Sequence, residues 1–170
     1  GVYSGLSFIY ITVFVMIGTS IGYVLFPMLS KKEKINIKSL AVYTGTGTLF
    51  IMFVFIVFGH SINSIAFKGK FDVYRTPSLD LMIILIGVLQ FANGVLHWFI
   101  LGLGTRKDII NYLKIIISIL LIYFILILFI SHLSIKEFIV IIPVVLFAWA
   151  SKVFFTFYFI RKINLIKFYK

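Results

Sequence analysis

Cysteine is absent from this 170-residue sequence. That excludes disulfides and thiolate-bound metal, and leaves the redox state of the compartment unmarked. Acid is scarce as well, with five Asp and Glu against sixteen Lys and Arg. None of the five lies within a long apolar run: Asp80 opens one, and Glu33, Asp72, Asp108 and Glu137 fall between runs. Carboxylate pairs for acid–base chemistry inside a membrane are therefore missing. The patterns HExxH and DxD do not occur, and the three histidines, His60, His97 and His132, are far apart in sequence. "TGTGT" at Thr44–Thr48 has no lysine after it and lies in an apolar run, which argues against a phosphate cradle. The expectation is a protein that is no enzyme and holds neither cofactor nor metal.

What is abundant is apolar. Hydrophobic residues make up 62% of the chain, phenylalanine alone occurs 20 times, and the mean hydropathy is +1.15. A water-soluble domain of this length needs more polar residues to cover its core, so the lipid bilayer is the expected surrounding. Five runs can be read off: Leu6–Leu29, Leu40–Phe58, Leu79–Leu101, Tyr112–Ile130 and Phe138–Ile160. Each approaches or exceeds the roughly 20 residues with which a helix crosses hydrocarbon. Although "IIISILLIYFILILFI" is rich in β-branched residues, it lacks the alternation of a barrel strand, and an open sheet in lipid leaves its backbone unsatisfied. The expected fold class is all-α, a polytopic bundle of five transmembrane helices forming a single region.

Cations set the expected orientation. Lys31, Lys32, Lys34 and Lys38 follow the first run, Arg106, Lys107 and Lys114 follow the third, and Arg161, Lys162, Lys167 and Lys170 occupy the tail. The opposite side carries only Lys68, Lys70, Arg75 and Lys136. By the positive-inside rule the N-terminus is outside and the C-terminus cytoplasmic. A net charge of +11 raises the question of nucleic acid. These cations are distributed over loops that flank spans, which suits topology and anionic headgroups rather than a phosphate-tracking face. No basic segment precedes the first run, so no cleavable signal is expected. An outside start followed by an odd number of spans, opening on Gly1, suggests a piece of a longer protein that lacks its N-terminal helices.

Small residues indicate packing. Gly18 and Gly22 are four apart, and Gly87 and Gly94 seven apart, so each pair offers one helix face to a close neighbour. Pro27 and Pro143 lie near the ends of their runs, where a lost hydrogen bond is tolerated.

Polar residues inside the runs are few and patterned. At about 100° per residue, Asn93 and His97 fall within about 60° of Gln90 on the third helix, forming a stripe. On the fifth, Trp149, Lys152 and Thr156 repeat the same i, i+3, i+7 spacing. Lys152 is nine residues from Arg161, about 13 Å along a helix and too deep to snorkel easily. Thr12, Thr19 and Tyr23 form a weaker line on the first. Three such stripes suggest a hydrated path, with Lys152 as its cation; the competing reading is hydrogen bonding that only holds the bundle together.

The opening "GVYSGLSF", the exit "LFPMLSKKEK", and the stretch "FGHSINSIAFKGKFDVYRTPSLDLMIILIGVLQFANGVLHWFILGLGTRKD" carry a family resemblance. With the spacing of the remaining spans, they make nearly the whole chain resemble the C-terminal part of a bacterial polysaccharide flippase. That is the O-antigen and capsule branch of the multidrug/oligosaccharidyl-lipid/polysaccharide exporter superfamily. The closest points are Gly1 with Tyr3, then Phe26, Pro27 and Ser30, and the turn "GLGTRK". Where family members often carry a "YG..GAA" segment, this chain has "SHLSIKEFIVIIP". The resemblance implies a bundle of twelve or fourteen helices that alternates between inward-open and outward-open states in the bacterial cytoplasmic membrane. It implies as cargo an undecaprenyl-diphosphate-linked oligosaccharide. Lys152 would then meet the diphosphate, while Gln90, Asn93, His97, Trp149, Thr156, Thr12, Thr19 and Tyr23 line the cavity. The implied partners are the bilayer, the lipid-linked oligosaccharide and the missing N-terminal helices, with no nucleic acid. Two alternatives stand beside it: an ion or small-molecule exporter of the same superfamily, and a structural membrane subunit.

Overall fold

The computed structural model describes residues 2–31, 36–132 and 141–162. Gly1, the cations Lys32, Lys34, Lys136, Lys167 and Lys170, and positions 138–140 of the expected fifth run lie outside the described residues. The chain is all-α: α1 Val2–Ser30, α2 Ile37–Phe67, α3 Pro77–Leu103, α4 Arg106–His132 and α5 Ile141–Lys162, with one 3-10 turn at Asp72–Tyr74. All five helices are long and apolar enough to span a membrane, and the chain is a multi-pass membrane protein embedded in the lipid bilayer.

Local chemistry explains why helix ends differ from the apolar runs. α2 continues nine residues past Phe58, because His60, Ser61, Asn63 and Ser64 lower hydropathy without opposing helix. It stops at Lys68, which takes the left-handed conformation at φ 52°, and the Gly69 N–H donates to the Ser64 carbonyl at 2.9 Å. α3 begins with Thr76 as its cap, whose hydroxyl accepts from the Leu79 N–H at 3.2 Å, and with Pro77 in the first turn. α4 starts at Arg106 instead of Tyr112. There Thr105 and Asp108 cap each other: the Asp108 carboxylate accepts from the Thr105 N–H at 3.0 Å, and the Thr105 hydroxyl accepts from the Asp108 N–H at 3.3 Å.

α3 is the central helix, packed most extensively against α1 and next against α5. The α1–α3 seam is parallel and alternates gap with knob. Gly87 accepts the ring of Phe14, Gly18 accepts Phe91, and Gly102 accepts Leu29, all at one sequence offset of 73. Gly22 accepts the indole of Trp98, whereas Gly94 meets nothing within 4 Å. One apolar core, around Tyr10, Phe14, Phe55, Ile83 and Phe91, joins α1, α2 and α3. A second, built from Ile100, Tyr112, Phe159 and Ile160, joins the far end of α3 to α4 and α5. α2 and α4 expose most of their apolar side chains, including Phe50, Phe53, Leu121 and Phe124. In water such faces are a liability; in a bilayer they match the solvent.

Candidate functional site

Polar side chains converge where α3, α4 and α5 meet. Thr156 of α5 is fully buried, and its hydroxyl donates to Asn93 Oδ1 of α3 at 3.3 Å. The same hydroxyl lies 3.5 Å from that of Tyr112 on α4, which in turn is hydrogen-bonded to His97 Nδ1 at 3.2 Å. The His97 and Tyr112 rings also face each other, with centroids 5.4 Å apart. Four residues from three helices thus form one connected network. Its cause is helical periodicity: Asn93 and His97 are four apart on α3 and share a face, which the stripe on α5 meets.

One turn from Thr156, Lys152 is only 9% exposed. Its ammonium sits over the Trp149 ring, 3.9 Å from the centroid. No carboxylate pairs with it among the described residues. A lysine facing lipid at this depth costs on the order of 3 kcal/mol. Withdrawal against an indole, worth about 2 kcal/mol when desolvated, offsets much of that. The lysine also lines an open groove of about 500 Å³ between α4 and α5, walled by Leu120, Leu121, Phe124, Val145 and Trp149. Tyr123 and Ser151, hydrogen-bonded at 2.9 Å, tie the two helices together beside this groove.

Other residues singled out from the sequence lie elsewhere or less deep. Gln90 is half-buried on the Asn93 face of α3. Thr12 is half-buried on α1, and the Thr19 hydroxyl donates to the Val15 carbonyl of its own helix at 2.8 Å. Tyr23 is 72% exposed, and its ring lies 6.3 Å from that of Trp98. The structure therefore brings Asn93, His97, Trp149, Lys152 and Thr156 together and leaves the α1 line outside that group.

A second polar group, at the opposite end of α3, drew no attention in the sequence. Arg75, its side chain 3% exposed, forms an ion pair with Asp80. It also donates to the Tyr10 hydroxyl at 2.7 Å, to the His60 carbonyl at 3.1 Å and, at 3.5 Å, to that of Gly59. Burial works against the charge on Arg75, but the hydrogen bond to Asp80 and the neighbouring Tyr10 and Asp80 outweigh it and raise the pKa. The guanidinium thereby ties α1 and α2 to the start of α3, next to a cavity of about 440 Å³ that Asp80 and His60 line. Asn63 of α2 is buried nearby, and its amide makes no hydrogen bond among the described residues. An acid in the first turn of α3, five residues after an arginine, was the available signal.

No family model, no curated protein and no solved structure matches this chain.

Proposed function

We propose that this multi-pass membrane protein is part of a transporter, and not an enzyme, that carries an undecaprenyl-diphosphate-linked oligosaccharide from the cytoplasmic to the outer leaflet by alternating access. The observation that carries the reading is Lys152: a buried ammonium near mid-span, with no carboxylate partner among the described residues, beside a polar network and open to a groove. A diphosphate crossing hydrocarbon loses its hydration, and a cation stationed there lowers that penalty. Asn93 and His97, each half-buried on α3, offer donors and acceptors suited to sugar hydroxyls. The sequence resemblance to polysaccharide flippases points the same way, and the distribution of Lys and Arg supports an outside N-terminus and a cytoplasmic C-terminus.

The test is complementation in the full-length protein, read as surface polysaccharide in a flippase-deficient strain. Lys152→Met should lower delivery at least tenfold with unchanged membrane levels, and Lys152→Arg should retain most of it. Normal delivery by Lys152→Met would remove the lysine from the transport path.

A further inference from the structure

We propose that Trp149 is a positioning residue for Lys152: its indole face is the resting seat of the ammonium, which leaves the ring when the anionic head of a translocated amphiphile arrives. This rests on the transporter reading and adds to it a defined exchange of partners. The geometry behind it is the ammonium 3.9 Å from the indole centroid, one helical turn away on α5, with both residues lining the α4–α5 groove.

The physical reason lies in what each candidate partner does to an incoming anion. A carboxylate at that place would satisfy the lysine permanently, and a phosphate would then have to break a desolvated ion pair to reach it. An aromatic face attracts the cation through its quadrupole yet carries no net charge, so a phosphate displaces it easily. Trp149 thus keeps the ammonium ordered and sheltered from lipid without competing strongly for it. Depth selects the occupant. Lys152 is nine residues from Arg161, about 13 Å along the helix, below the level at which resident phospholipids keep their phosphates. The anion that meets it is one being carried across, attached to a chain that the groove's Leu120, Leu121 and Phe124 can accommodate.

The test uses the full chain in lipid nanodiscs, with farnesyl monophosphate as probe and farnesol as its uncharged control. Emission from Trp149 is taken as the difference between the Trp98→Phe protein and the Trp98→Phe/Trp149→Phe protein, and binding is followed separately with radiolabelled probe. Farnesyl monophosphate should bind and shift the Trp149 emission saturably, to the spectrum that Lys152→Met shows without ligand, while farnesol leaves it unchanged. Lys152→Met should abolish the shift and weaken binding at least tenfold; Lys152→Arg should retain both. Binding with no change at Trp149 would overturn the seat while leaving the transporter reading intact. Absence of binding would overturn both, and an equal shift on raising phosphatidylglycerol would assign the site to a resident lipid instead.

Discussion

The guanidinium of Arg75 donates to the hydroxyl of Tyr10 at 2.7 Å across 65 positions of sequence. The same group reaches the His60 carbonyl and the Asp80 carboxylate, so the starts of α1 and α3 and the later part of α2 share one buried cation.

Removing that cation should be costly. Arg75→Leu leaves Asp80 and Tyr10 without their partner, and a loss on the order of 3 kcal/mol is expected for breaking a largely buried pair. The double variant Arg75→Leu/Asp80→Leu should recover part of the loss, read as thermal unfolding of the detergent-solubilised protein. The raised pKa of Arg75 gives the sign with pH. A base held above its ordinary value stabilises fully at lower pH and loses its contribution only as pH rises through the raised value, so no arginine-driven loss is expected in neutral buffers.

Thr156→Val keeps the shape of the side chain and removes its hydroxyl. Asn93 Oδ1 and the Tyr112 hydroxyl each lose a neighbour, and a destabilisation of about 1 kcal/mol is expected. Equal stability in chemical unfolding would show that the network rearranges around the loss.

Glycines on the two sides of the bundle should respond oppositely. Gly22→Ala places a methyl against the Trp98 indole, and overpacking of about 1–3 kcal/mol is expected. Trp98→Leu in the same chain should relieve it. Gly45→Ala and Gly47→Ala meet nothing within 4 Å and should leave thermal stability unchanged or higher.

The lack of cysteine makes orientation directly measurable, since any single introduced thiol is the chain's own only label. Val73→Cys, in the turn before α3 where Val73 is 91% exposed, should react with membrane-impermeant maleimide in intact cells. Lys107→Cys, at the start of α4, should react only after permeabilisation. The reverse pattern would invert the proposed topology.

Apolar length was the most legible property. Each of the five runs falls wholly or largely within a helix, because a long continuous apolar segment in hydrocarbon satisfies its own backbone by coiling on itself. Ends were less legible. Hydropathy stops the second run at Phe58, but the helix is set by hydrogen bonds and proceeds through His60, Asn63 and Ser64 to a left-handed cap. Periodicity likewise puts Asn93 and His97 on one face, and also Thr12, Thr19 and Tyr23, yet it does not say what each face meets. Of the latter three, Thr19 bonds its own helix and Tyr23 is exposed.

By itself the sequence determined the solvent, the number of spans and the angular position of each polar group on its own helix, since these follow from composition and from 3.6 residues per turn. Packing of the helices against one another decided that Thr156 faces Asn93 and that Arg75 reaches Tyr10. It also decided that α1 and α3 run together at one offset, with rings seated in glycine gaps. Such pairings depend on how whole helices rotate and slide against one another. In lipid that choice rests on close packing and a few buried hydrogen bonds, because apolar surface gains little by leaving one hydrocarbon for another.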